Sequence, residues 1–380
     1  MYPMHDKKPP VILQVLPALS SGGVERGTVE IARAIQQAGG RALVASSGGK
    51  MMYQLFRLGA EHITLPLDSK NPFTVWRNAR ALVGIIREHG VDIVHARSRA
   101  PAWCAWLAAY KTGCRFVTTF HGTYGIQNRF KHRYNSVMVK GERVIAISNF
   151  IAEHIKANYA VDPANIRIIH RGVDLNLFTP DLFSHQRMDA LIKEWRLPME
   201  LPVILFPGRI TRWKGQDVFL RALAALPHRH FFAVILGDDK KGGSYRGELE
   251  SLITELGLEE HVRFAEHTQH ITEAYMLARV VVATSIEPEA FGRVVLEAQA
   301  MGKPVIATSH GGPQETVIHG ETGLLVPPGD VGALAAAIEN VMGLDETMQQ
   351  HIARDARKQA ERFSLDTMCE KTLAVYEELL

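Results

Sequence analysis

Residues 278–309 read "ARVVVATSIEPEAFGRVVLEAQAMGKPVIATS". Both ends are short apolar runs rich in β-branched residues, which suits buried strands. The middle, "RVVLEAQAM", repeats apolar residues at helical spacing until Gly302-Lys303-Pro304 stops it. The stretch is therefore strand, loop, helix, strand, the repeat of a parallel sheet covered by helices. Two acids lie inside it: Glu289 on the loop and Glu297 about a turn into the helix, with seven residues between them. Phe291-Gly292 opens the helix, and a helix start attracts anions because its first N–H groups are unpaired. Ionised carboxylates on either side of such a turn would accept from paired hydroxyls, as on a ribose or a hexose. Standing alone, Glu297 fits a solvated helix residue just as well.

The same rhythm runs through the chain. "PVILQVLPAL" reads as a strand, followed by a glycine turn and a helix in which Val24, Thr28, Ile31 and Ile35 share a face. "RALVASSG", "EHITLPL", "VDIVHARS", "CRFVTTFHG" and "RVIAISN" are further strands, with helices in "NPFTVWRNARALVGIIREHG" and "APAWCAWLAAYKTG". Scattered prolines interrupt the pattern at 175–200, read as a linker region without a strand. It restarts with the strands "PVILFPGR" and "HFFAVILGD" and the helices "WKGQDVFLRALAAL", "RGELESLITELGLEEHV" and "DVGALAAAIENVMG". The expected fold class is α/β, with two doubly wound domains in series. The boundaries are an N-terminal domain 1–178, a linker 179–200, a C-terminal domain 201–360 and a closing helical segment 361–380. In such sheets ligands bind at the C-terminal ends of the strands, and with two domains the expected site is the cleft between them.

At 380 residues the chain is too long for one ordinary core, and its 46% hydrophobic and 22% charged residues are those of a globular protein. Cys104, Cys114 and Cys369 show neither paired nor metal spacing, so a reducing cytoplasm is expected. The opening residues lack the apolar core of a signal peptide, and no apolar run reaches membrane-spanning length. The net charge of +3 hides an asymmetry: residues 1–175 hold 23 Lys+Arg against 11 Asp+Glu, leaving the remainder acidic. A basic half suits an anionic partner, including an anionic membrane surface, or is a solvated surface without consequence.

Three turns at strand ends carry the chemistry. In "LSSGGVERG", Gly22 and Gly23 open a helix and permit close approach of a phosphate, or form a plain tight turn. In "FPGRITRWKGQ", Gly208 and Arg209 end a strand and Lys214-Gly215 precedes a helix. A guanidinium fork and a compact ammonium suit a diphosphate, although two cations near a helix start are often only solvated. The third turn is the loop carrying Glu289.

Gly208-Arg209 with Lys214-Gly215, followed by Glu289 and Glu297 inside "EPEAFGRVVLEAQAMGKPVIAT", resembles the family-4 retaining glycosyltransferases, as do "HGGPQETVIHGETGLLVPPGD" and "RGVDLNLF". The resemblance runs across nearly the whole chain. It implies a GT-B fold, two Rossmann-like domains with an interdomain active-site cleft and a final helix crossing back to the N-terminal domain. It implies that Arg209 and Lys214 hold the donor diphosphate, that Glu297 accepts from the ribose hydroxyls, and that Glu289 contacts the transferred sugar. The backbone around Gly208, Phe291, Gly292 and Val294 would hold sugar hydroxyls and phosphate. Gly22 and Gly23 would close over the diphosphate, and His121 in "TTFHGT" would stand beside the donor sugar. Arg171 stands where many relatives have Asn. No D-x-D motif occurs, so no metal and no cofactor is expected; the donor, GDP- or UDP-linked, is a substrate.

The expected reaction moves a hexose to a hydroxyl of a cell-envelope glycan or lipid-linked acceptor, a lipopolysaccharide-core mannosyl transfer being one candidate. Arg97, Arg99, Arg129 and Lys131, interleaved with Trp103 and Trp106, are the expected acceptor contacts, at the inner face of the cytoplasmic membrane. Lys140 and Arg143 extend the basic run. The alternatives are a sugar-nucleotide epimerase on the same fold and transfer to a small soluble acceptor. An NAD-dependent oxidoreductase would need G-x-G-x-x-G after a strand, which is absent. A nucleic-acid module would not need the two glutamates, so no nucleic-acid partner is expected.

Overall fold

The computed structural model describes residues 8–20, 22–126, 128–239 and 244–380. Ser21 of the glycine turn, and the first seven residues read above for a signal peptide, lie outside the described residues. The chain divides into two compact units, Met1–His170 with Leu365–Leu380, and Arg171–Ser364.

The first unit is built on seven parallel strands: β1 Val11–Val15, β2 Arg41–Ser46, β3 Glu61–Thr64, β4 Ile93–Ala96, β5 Arg115–Phe120, β6 Arg143–Ala146 and β7 Ile166–Ile168. Their order is β3-β2-β1-β4-β5-β6-β7. The sheet grows outward in both directions from β1 and β4, and the loops above such a reversal form a crevice. β1 and β4 are buried along their whole lengths, and their apolar runs are interrupted only by buried Gln14 and His95. The crossover helix Pro72–His89 is bounded chemically. The Asn71 side chain accepts from the N–H groups of Phe73 and Thr74, proline stands in the first turn, and Gly90 closes the helix in the left-handed region.

The chain's last helix, Leu365–Glu377, is part of this unit. Its Met368, Val375 and Tyr376 enter the core formed by Ile12, Ile31 and Ile35. Tyr376 Oη lies 2.7 Å from Nδ1 of buried His95, whose Nε2 lies 2.7 Å from Thr119 Oγ1. Beyond the helix, the Glu378 carboxylate accepts from Arg143 Nε at 2.6 Å and from Arg167 Nη2 at 2.6 Å.

The second unit holds six parallel strands: β8 Val203–Pro207, β9 Phe232–Leu236, β10 Val262–Ala265, β11 Ala278–Ala283, β12 Val305–Thr308 and β13 Leu324–Val326. Their order, β10-β9-β8-β11-β12-β13, puts the reversal between β8 and β11. Phe206, Phe219, Val280, Val282, Ile306 and Ile338 share its core. The loops that follow β8 and β11, which carry Gly208–Gly215 and Thr284–Gly292, therefore rise side by side.

Two boundaries differ from the expectation. The chain enters the second unit at Arg171 rather than after 178, and leaves it at Ser364 rather than 360. The segment read as a linker contains the helix His185–Trp195, capped by Ser184 and anchored by buried Leu191 and Trp195. Its flanking prolines masked a helix held by two apolar side chains four residues apart. No helix among the described residues is long and apolar enough to cross a membrane.

Candidate active site

The site grows from three loops at the ends of adjacent strands. After β8 the chain makes a short 3-10 turn, Arg212–Lys214, before the helix Gln216–Ala224. The loop after β11 is stitched to it: Ile286 donates its N–H to the Trp213 carbonyl at 2.8 Å, and Thr284 Oγ1 to the Gly215 carbonyl at 3.2 Å. Gly215 sits at φ +74°, and a Cβ there would run into the Thr284 carbonyl, so both backbone and space demand glycine. The loop after β12 closes the other side. Gly312 donates to the Glu289 carbonyl at 2.8 Å, and Gly311, at φ +67°, presses against the Glu289 backbone where no side chain fits.

Glu289 is thus held by its backbone on one side and its carboxylate on the other. Lys214 Nζ meets Oε1 at 2.7 Å, with only 12% and 14% of the two side chains exposed. Ser285 Oγ donates to the same oxygen. Burial alone would raise the Glu289 pKa, but the Lys214 charge, the hydrogen bonds from Lys214 and Ser285, and nearby His310 outweigh it and hold the carboxyl below its ordinary value. Lys214 Nζ also stands 4.5 Å from the centroid of the Trp213 ring. The Ser285 carbonyl accepts from Thr308 Oγ1 at 2.9 Å and His310 Nε2 at 2.7 Å. A carbonyl only accepts, so His310 carries a proton on Nε2.

The second glutamate is held separately. Glu297 lies in the helix Arg293–Ala300, whose N-cap is Gly292 in the left-handed region. Tyr275 Oη donates to its Oε2 at 3.0 Å, and Arg293, one turn before it, stands 3.6 Å from Oε1. Phe291 is buried, its ring centroid 6.0 Å from that of Phe363. Val294 is half-buried beside the helix start, and Gly208 is half-buried at the end of β8. The Arg209 side chain is exposed, and its carbonyl is fixed by Gln216 Nε2 at 2.9 Å. The structure therefore joins Lys214 directly to Glu289 and gives Glu297 a neutral partner of its own.

In the first unit, Gly22 caps the helix Gly23–Gln37 after β1, and both glycines are exposed. His121 follows β5 and is half-buried. The basic residues behave differently from one another. Arg129 and Lys131 are exposed on the short helix Arg129–Asn135. Arg99 lies with its guanidinium 4.3 Å from the Tyr124 ring and donates to Asn135 Oδ1 at 3.2 Å. Arg97 corrects the sequence reading. It is 3% exposed and donates to Gln14 Oε1 at 3.1 Å inside the unit, so it is a core cation and not a surface contact. Arg143 is engaged with Glu378. Trp103 donates Nε1 to the Tyr134 carbonyl at 3.0 Å, and Lys140 Nζ lies 4.4 Å from the Trp106 ring.

Sequence reasoning missed Ser285, His310, Trp213 and Tyr275. A signal existed for the first two. β11 and β12 both run into Ala-Thr-Ser, and their register pairs Ala283 with Ala307, so the polar residues just beyond are neighbours. Nothing in the local pattern marks Tyr275.

Two family models cover most of the chain: "Glycosyltransferase Family 4" over residues 21–177 and "Glycosyl transferases group 1" over 188–359. A D-inositol 3-phosphate glycosyltransferase from Jonesia denitrificans is 32% identical over 75% of this chain and 71% of its own. Among solved structures, a glycosyltransferase from Rickettsia africae matches at 39% identity and TM-score 0.92, covering 98% of this chain and 99% of that one. Anabaena HepE, in complex with UDP-glucose, matches at 25% identity and TM-score 0.84 over 97% and 99% of the two chains. With its two parallel-sheet units, its paired glutamates and these matches, the chain belongs to the GT-B glycosyltransferases, a family-4 domain followed by a group 1 domain.

Proposed function

We propose that this enzyme transfers a hexose from a nucleotide-diphosphate sugar to an acceptor hydroxyl with retention of configuration, and that the second unit binds the donor. The observation that carries the reading is the Lys214–Glu289 pair at 2.7 Å, set beside the helix start at Gly292 with Glu297 one turn further on. Lys214 and the oriented N–H groups of the helix start suit the diphosphate, Glu289 the hydroxyls of the sugar and Glu297 those of the ribose. The HepE complex with UDP-glucose favours a uridine donor, with the guanosine donor as the second arm of the test.

In this reading, negative charge grows on the leaving diphosphate while the sugar ring becomes positive. Lys214, exposed Arg209 and the helix start stabilise the first without a metal ion. The acceptor oxygen bonds to the anomeric carbon on the face from which the phosphate oxygen departs. The acceptor proton passes to that oxygen. Glu289 orients the sugar hydroxyls and forms no covalent bond. Arg99, Arg129 and Lys131 favour an anionic acceptor, which fits a cell-envelope glycan or lipid-linked sugar, with mannosyl transfer to lipopolysaccharide core as one case.

The test is calorimetry against a panel of UDP- and GDP-linked hexoses, repeated with Glu297→Ala. One donor class should bind in the micromolar range, and the variant should lose about tenfold or more through the lost charged hydrogen bonds. Donor binding unchanged by the variant would remove Glu297 from the ribose.

A further inference from the structure

Tyr275 lies in the short helix Ile271–Leu277, immediately before β11. Its side chain is fully buried, yet its hydroxyl reaches Glu297 Oε2 at 3.0 Å. A buried phenol must find a hydrogen-bond partner, and here it has found a carboxylate that is itself only 12% exposed. The ring is held in turn by Phe178, 2% exposed, edge-on with centroids 6.1 Å apart. Phe178 closes a turn whose Asp174 carbonyl accepts from both Leu177 and Phe178. The tyrosine therefore has little freedom, and neither has the oxygen it holds.

The consequence is geometric. A glutamate in the first turns of a helix has three rotatable bonds and would sample several rotamers if solvated. Arg293 constrains Oε1 loosely, at 3.6 Å. Tyr275 constrains Oε2 at hydrogen-bond distance, and the two contacts together restrict how the carboxylate can turn. Each carboxylate oxygen has two acceptor sites, so accepting from Tyr275 does not by itself exhaust Oε2.

We propose that Tyr275 is a positioning residue for nucleotide recognition: its hydroxyl sets the Glu297 carboxylate in the orientation that selects a ribose over a deoxyribose. This rests on the donor reading of Glu297 given above, and the experiment separates the two. Tyr275→Phe keeps the ring and its packing on Phe178 and removes one oxygen.

Binding of UDP, 2′-deoxy-UDP and 3′-deoxy-UDP, or the guanosine set if the parent binds that base, would be measured by calorimetry. The proteins are the parent, Tyr275→Phe, Glu297→Ala and the double variant, each with a thermal melt. The parent should prefer the ribonucleotide by about tenfold or more. Tyr275→Phe should weaken it about fivefold, bring the ribo/deoxy ratio toward one, and raise donor KM with kcat little changed. In the Glu297→Ala background the same substitution should change nothing, because its target is gone. A parental ribo/deoxy ratio in Tyr275→Phe, or an equal loss with and without Glu297, overturns the role of Tyr275. A parental ratio in Glu297→Ala instead overturns the ribose assignment itself.

Discussion

Substituting Lys214 by alanine perturbs two things, and the structure says how to separate them. Lys214 and Glu289 are each about one-eighth exposed, and their charged atoms are 2.7 Å apart. At an effective dielectric constant of about 20, that separation corresponds to roughly 6 kcal/mol of gross attraction, most of it offset by desolvation of the two ions. Removing one member of such a pair strands the other and costs about 3 kcal/mol of stability. In the proposed reading the same charge stabilises the leaving diphosphate, so its removal should cost turnover about a hundredfold to a thousandfold. The two losses respond differently to pH. In the parent, Glu289 is held below its ordinary value, so its contribution is complete above that value and is lost as pH falls through the folded-state pKa. Without Lys214 only the Ser285 hydrogen bond and nearby His310 still oppose burial, so the folded pKa should rise above the unfolded one. The variant then gains stability as pH falls through that raised value. Denaturant melts at pH 7 and pH 4.5 should therefore show the gap between parent and Lys214→Ala narrowing on acidification. Adding Glu289→Gln should restore stability at pH 7 without restoring turnover. A gap that widens at low pH, or stability unmoved by Glu289→Gln, would refute the buried-pair argument.

Glu378→Gln should cost about 1 kcal/mol at neutral pH, since the partners are about a quarter to a third exposed and solvent screens the pairs. Hydrogen bonds from Arg167, against a small opposing effect of burial, and then from Arg143 hold the Glu378 carboxyl at about 2, so the difference should persist to pH 4.5 and fade toward pH 2 in urea melts. Lys303 is pushed down from 10.5 to about 8 by burial and then by the Arg279 charge, so folding favours its neutral form. The parent should gain of order 2 kcal/mol between pH 8 and 10.5, and Lys303→Met should lack that gain in melts across the range. Gly311→Ala, at φ +67° against the Glu289 backbone, should destabilise the second unit by about 2–4 kcal/mol and abolish donor binding; a folded variant with parental affinity would contradict the packing described.

The parts of the fold legible in the sequence were those whose signal is local. β1, β8 and β9 are fully buried five-residue runs, and the Asn71-Pro72 and Gly90 signals that bound the helix Pro72–His89 are chemical. β7 and β13, of three residues each, and β10, of four, are only partly buried, so their alternation never rises above that of a loop. Arg97 was misplaced because a cation just past a strand end reads as solvated. Its inward orientation depends on Gln14, on a neighbouring strand 83 residues away in sequence, supplying an acceptor inside the core.

The site shows the same division more sharply. The spacing of Glu289 and Glu297 was visible, and it suggested two acceptor arms for paired hydroxyls on either side of a helix start. The partners that make the arms unequal are long-range. Lys214 is 75 residues from Glu289 and meets it because β8 and β11 are neighbours, whereas Tyr275 reaches Glu297 across β11. Glu289 is charge-paired, and Glu297 is held by a neutral hydroxyl in addition to a looser arginine contact. A diphosphate that draws Lys214 toward itself leaves the Glu289 carboxylate with its Ser285 hydrogen bond and a new need for donors, which sugar hydroxyls can supply. In the proposed reading Glu297 faces the ribose and not the diphosphate, so no such exchange is expected at Tyr275. On that reading the first glutamate is coupled to the diphosphate, while Tyr275 and Arg293 already hold the second within the fold.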